Sequence, residues 1–131
     1  MFAYTFNEEH KLLIWKQAVQ IDIDFMNQWL AELEQLEAQR PPFNRFTDLS
    51  QVPGIMLNQA DLQQIADRRK KYDGPPVRSV FYAPQPLGFG IGRMYQKLTA
   101  GDIISVEVFM NLQSCAHWLD VPQDILAVEP T

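Results

Sequence analysis

The feature that most restricts this chain is a regular exchange of two hydrophobic periods through its second half. Val77 to Ala83 is rich in β-branched and aromatic residues, as a buried strand is. Leu87, Ile91, Met94, Tyr95 and Leu98 then recur at helical spacing, which puts them on one stripe. Ile103 to Phe109 returns to a strand pattern, and Leu112, Cys115, Ala116 and Leu119 form a last stripe opened by Asn111. Strand and helix in alternation predict helices packed on a mostly parallel sheet, with right-handed crossovers.

The first half extends the pattern. Phe2 to Phe6 and Lys11 to Val19, joined by the polar Asn7-Glu8-Glu9-His10, predict a β-hairpin. Asp22 or Asp24 caps a helix whose stripe is Met26, Trp29, Leu30, Leu33 and Leu36, and Pro41-Pro42 stops it near Gln39. Phe43 to Leu49 is a strand. Asn58 with Asp61 is a variant capping box for a helix carrying Leu62, Ile65 and Ala66 inward and ending in Arg68-Arg69-Lys70-Lys71. Pro53-Gly54 and Asp73-Gly74-Pro75-Pro76 are breaks, Gly101 closes the third helix, and Pro122 ends the fourth. The predicted order is β-β-α-β-α-β-α-β-α. This is one α/β domain over residues 1–131: a mixed, mostly parallel five-stranded sheet with an antiparallel edge strand and about four helices. The core is expected over about 2–120, and 121–131 as a poorly ordered tail.

Composition narrows the function classes. The 131 residues carry 11 Lys and Arg against 16 Asp and Glu, a formal charge of −5. A surface this acidic repels phosphates and anionic lipids, so neither nucleic acid nor membrane is an expected partner. The single cysteine, Cys115, allows no internal disulfide. The N-terminus lacks the basic start and apolar core of a secretion signal, and no apolar run is long enough to span a bilayer. The expected location is the cytoplasm.

The element order, with Asp48-Leu49-Ser50-x-Val52 closing a strand, resembles the STAS-like fold of anti-sigma-factor antagonists, the SpoIIAA-like domains. The second half is similar to uncharacterised bacterial proteins of that fold. The residues carrying this are Ala83-Pro84, Gly88-Phe89-Gly90, Arg93-Met94-Tyr95 and Ala116-His117-Trp118-Leu119. The likeness runs from about Phe43 to Leu119 and more loosely over the hairpin. It implies the scaffold and a regulatory, partner-binding role. Anti-sigma antagonists carry a phosphorylatable Ser or Thr at the start of the helix after the Asp-Leu-Ser strand. Here that stretch is Ile55-Met56-Leu57-Asn58-Gln59, without a hydroxyl, so a phosphate switch there is not implied.

The candidate ligand site is Leu87-Gly88-Phe89-Gly90-Ile91-Gly92-Arg93. Glycines opening a helix let backbone N–H groups approach an anion, with Arg93 as a bidentate partner and Tyr95 beside them. The spacing is Gly-x-Gly-x-Gly, not the dinucleotide Gly-x-Gly-x-x-Gly, and it follows a late strand. The competing role is structural, a tight strand-to-helix loop in which glycine lets the helix pack closely. Asp48 and Ser50 end another strand and share that rim if ligands gather at the carboxyl ends of the sheet.

Other clusters read as ordinary structure. Arg68 to Lys71 are cations in a helix's last turn, where they complement the dipole in solvent. Glu32, Glu34 and Glu37 read as a solvated helix face, and Cys115 as a small core residue. Cys115 and His117 are two apart on a helix, so they cannot pair. No metal or cofactor motif is present, and neither metal nor cofactor is expected. The primary expectation is a non-enzymatic regulatory or protein-interaction module, as a homodimer or with a protein partner. The alternative is a carrier or sensor of an anionic or apolar small molecule near Gly88 to Arg93. An enzyme would need Asp48, Ser50 and Arg93 to converge in one cleft.

Overall fold

The computed structural model describes residues 2–127. β1 (Tyr4–Asn7) and β2 (Leu12–Lys16) form the hairpin, with Tyr4 opposite Trp15 and Phe6 opposite Leu13. α1 (Ile23–Gln39) follows the two-residue strand β3 (Ile21–Asp22), and the Asp22 carboxylate caps it by accepting from the Phe25 N–H at 2.8 Å. β4 (Asn44–Asp48), the short β5 (Ile55–Met56) and α2 (Gln59–Arg69) come next. β6 (Val77–Tyr82), α3 (Pro86–Leu98), β7 (Ile104–Phe109) and α4 (Leu112–Leu119) complete the alternation. The main sheet has five strands in the order β1-β2-β4-β6-β7, antiparallel only between β1 and β2. β3 and β5 pair separately in parallel, a small cover that the sequence reading missed because two residues carry no period.

The parallel strands advance in one direction across the sheet. Right-handed crossovers that all step the same way place their helices on the same face. α1, α2 and α3 accordingly share one side with a core of Leu13, Trp15, Trp29, Leu30, Leu33 and Ile65. α4 covers the other side, setting its own Cys115, Ala116 and Leu119 against Leu12, Ile14, Phe46 and Val80. Strand alternation sorts the residues: on β4, Phe46 turns to α4, whereas Arg45 and Thr47 face the three-helix layer.

The chain after α4 departs from the expected loose tail. Asp120 takes a left-handed conformation at φ 60°, ending α4, and Gln123–Ala127 then forms a 3-10 turn. Leu126 within it is 0% exposed and belongs to the α4-side core. The short apolar run Ile125-Leu126-Ala127 is too brief to show a period, yet Leu126 anchors the segment. Residues 128–131 of the expected tail lie outside the described residues.

The candidate Gly segment is helical, not a loop. Pro86 sits at the first helical position of α3, so Gly88, Gly90 and Gly92 occupy its first turns. Gly88 and Gly92 face the protein. A β-carbon at Gly92 would lie 2.8 Å from the Val108 Cγ2, so the glycine permits α3 to lie on β7. Packing, the competing role weighed above, is what this position performs.

Candidate functional site

Between the sheet and the layer of α1, α2 and α3 lies a cavity of about 420 Å³. Its floor is a patch of side chains on neighbouring strands. Leu13, Arg45, Ser79 and Val106 form one row in register, and Trp15, Thr47 and Phe81 the next. Its walls include Trp29, Leu30 and Leu33 of α1, Leu62 and Ile65 of α2, and Ile91 and Tyr95 of α3. Towards the carboxyl ends of the strands it reaches Ile21 and Ile55 of the small cover. At the opposite end it reaches Lys70 and Asp102, whose ion pair at 3.1 Å ties α2 to the loop after α3.

The sequence accounts for this space. Ser79 and Thr47 are small side chains on central strands, and Gly92 contributes none from the helix above. Phe81 on the interior strand β6 and Val106 on the edge strand β7 face the helix layer, yet both are only half-buried. Interiors are normally packed so that voids rarely exceed a water molecule. Here the layer stays apart over β4 and β6 while Trp15 and Trp29 close the β2 side, their rings stacked 4.3 Å apart.

A cluster of charged groups meets at one wall. Arg45 is 5% exposed, with Nη2 bonded to the Glu37 carboxylate, and Arg69 Nη2 bonds the same Glu37 Oε2. The Arg45 guanidinium lies over the Phe43 ring at 4.7 Å and the Tyr72 ring at 5.3 Å. Burial lowers its pKa to about 10, opposed by the Glu37 charge. Tyr95 also lines the cavity, and burial pushes its hydroxyl up to about 12, so it stays a neutral donor. A second, polar pocket of about 330 Å³ shares Arg45, Arg69 and Tyr72 with the first, and is lined further by Glu34, Glu37, Arg40, Arg68, Lys71 and Asp73.

The six sequence candidates are not brought together. Tyr95 lines the cavity. Arg93 is exposed and donates to Gln96 Oε1 at 3.3 Å. Gly90 has no heavy atom within 4 Å of where its β-carbon would stand. Asp48 ends β4 on the α4 face, 3.8 Å from Lys16 Nζ, and its Oδ1 accepts from the Ser50 N–H at 2.8 Å. Leu87 and Met94, placed by spacing on the apolar stripe of this helix, are exposed instead. The rim expected at the strand ends requires a reversal of strand order, where adjacent crossovers part to opposite faces. The sheet's parallel strands have none, so the space opened between the layers instead.

Two clusters read as solvated are partly internal. Glu37 bridges Arg45 and Arg69, and Arg68 pairs with Glu34 at 2.8 Å. The signal for Arg45 was available: a cation in the middle of a strand whose neighbours, Phe43 and Phe46, are both core residues. Among the described residues no group of three or more His, Cys, Asp and Glu could hold a metal ion. Among the described residues no helix is long and apolar enough to cross a membrane.

No family model matches the sequence, and no curated protein matches it. The structure is similar to that of an uncharacterised DUF3478-family protein with a SpoIIAA-like fold from Shewanella loihica PV-4. The two superpose with a TM-score of 0.59 over 91% of this chain and 92% of that one, at 16% identity. The fold is SpoIIAA-like, as the resemblance implied.

Proposed function

We propose that this chain is a non-enzymatic binding module that holds a small molecule with an apolar body between its sheet and the layer of α1, α2 and α3, as a carrier or sensor. The cavity of about 420 Å³ carries this reading. It falls in the size range of small-molecule sites, which are mostly apolar with a few placed polar groups. Neither histidine nor cysteine lines it, and Thr47 and Ser79 have no base beside them among its lining residues. That supports holding over turnover.

Trp15 and Trp29 stand in the wall and report occupancy directly. Titration with a neutral apolar probe such as decanol is expected to change their fluorescence saturably and to raise the melting temperature, because a ligand of the folded state stabilises it by mass action. A linear, unsaturable response with unchanged melting would overturn the proposal.

A partner-binding role has its own support. Met56 and Leu87 are 63% and 66% exposed. They flank the contact of α3 with β5, where a β-carbon at Gly88 would lie 3.8 Å from Ile55 Cδ1. This apolar rim beside the cover of the cavity suits a homodimer or a protein partner that senses occupancy. Molar mass in solution, with and without probe and for Leu87→Glu, tests the dimer.

A further inference from the structure

Arg45 is charged, buried and incompletely bonded. Among the described residues, its Nε and Nη1 are the buried side-chain atoms with no hydrogen-bond partner. A guanidinium carries five N–H donors, and Glu37 takes those of Nη2 alone. The aromatic rings of Phe43 and Tyr72 cover its faces but accept nothing from its edges. Glu37 is also shared with Arg69, so two cations lean on one carboxylate and the wall keeps a surplus positive charge. Unpaired buried donors are costly, and a charged one more so.

The surroundings say what would satisfy them. Arg45 stands in register with Ser79, the small side chain that leaves space along the floor of the cavity. Beyond Ser79 the space is bounded by Phe81, Ile91 and Val106, which can bind only hydrocarbon. On its other side Arg45 borders the polar pocket, where five cations (Arg40, Arg45, Arg68, Arg69, Lys71) face three carboxylates (Glu34, Glu37, Asp73), with Glu8 pairing Arg40 from outside. In a chain of net charge −5 this is a local reversal of sign, and it favours approach of an anion.

We infer that the ligand of the cavity is an anionic amphiphile, its carboxylate held by the free N–H groups of Arg45 and its hydrocarbon body lying along Ser79, Phe81 and Val106. Arg69 positions Arg45 through Glu37 and keeps Glu37 paired. The inference rests on the cavity-binding reading and adds the chemistry of the head group.

The test compares three probes of one chain length, decanoate, decanol and decyltrimethylammonium, each below its micelle concentration, on wild type, Arg45→Met and Arg45→Lys. Tryptophan fluorescence and calorimetry give the affinities, and circular dichroism checks the fold. Arg45→Met is expected to fold, because Glu37 retains Arg69 as its partner and no buried charge is left uncompensated. Wild type should bind decanoate at least tenfold more tightly than decanol, and decyltrimethylammonium least. Arg45→Met should lose that preference while still binding decanol, and Arg45→Lys should recover part of it. Equal affinity for decanoate and decanol in wild type, or a preference that survives Arg45→Met, overturns the head-group assignment and leaves cavity binding standing. Binding of none of the three overturns both.

Discussion

Gly92 and Val108 stand so close that a β-carbon on residue 92 would lie 2.8 Å from the Val108 Cγ2 and 3.2 Å from its Cβ. Val108 is a buried, β-branched residue of β7 and has little freedom to yield. Gly92→Ala is therefore expected to destabilise by about 1–3 kcal/mol through overpacking, more than the ~1 kcal/mol alanine adds to helix propensity. Gly90, two residues earlier on the exposed side of the same helix, has open space around it. Gly90→Ala should stabilise by about 0.5–1 kcal/mol. Urea unfolding separates the two, and Val108→Ala should offset much of the Gly92→Ala loss in a double-mutant cycle. If both glycine variants gain stability, α3 does not lie on β7 as described.

That contrast also marks what the sequence could convey. The order of elements follows from periodicity, and the caps at Asp22, Asn58 and Asn111 from residue type; all three accept the hydrogen bonds expected of them. Glycine at residues 88, 90 and 92 has two readings, close packing or ligand approach, and a sequence does not show which surface each one meets. The cavity was illegible for a related reason. Empty space is a relation among Ser79, Thr47, Gly92 and Tyr95 across three elements, and no one of them is unusual where it stands. Arg45 was more accessible to reasoning, because a cation between Phe43 and Phe46 in a covered strand must find a partner.

Cys115 is 0% exposed, on the buried face of α4. Burial, reinforced by the Asp48 carboxylate, raises its thiol to about 12. The reactive species of cysteine is the thiolate, so the native thiol should be inert at neutral pH. A maleimide or aromatic disulfide reagent should label it only as fast as the protein opens, and with increasing urea the labelling rate should climb together with the unfolded population. The unfolded thiol ionises near its ordinary value, so its contribution to stability is full below that pH and is lost as pH rises towards 12. Rapid stoichiometric labelling of native protein at pH 7 would contradict this burial.

Arg68 reaches Glu34 across the α1–α2 contact through Nε and Nη2, both at 2.8 Å. The hydrogen bonds from Arg68 hold the Glu34 carboxyl below its ordinary range, against a smaller opposing effect of burial. A carboxyl lowered in the folded state binds more protons when unfolded. Its stabilisation is thus complete above the unfolded pKa and disappears as pH falls through the lower, folded one. Both side chains are partly exposed, so the pair is worth at most about 1 kcal/mol. Glu34→Gln should cost that amount at pH 7 and almost nothing at pH 3, with a shallower acid limb in the stability curve. An equal loss at both pH values would assign the effect to packing instead of charge.

Ser79 offers the sharpest test of whether the space beneath α2 and α3 is open. It stands in register between Arg45 and Val106 on the central strand β6, with its side chain on the cavity floor. Valine adds apolar surface there and prefers the strand conformation, and its branch would extend into space that no side chain fills. Filling a cavity of this kind commonly gains about 0.5–2 kcal/mol. Ser79→Val is therefore expected to raise the melting temperature of the ligand-free protein. The same methyl groups would occupy the path along which a hydrocarbon body lies beside Arg45, so the variant should bind decanol and decanoate several-fold more weakly than wild type. In a close-packed core the added volume would instead force neighbouring side chains off their rotamers and cost stability. A lower melting temperature together with undiminished probe binding would mean that the space is filled in solution and that the probes bind elsewhere.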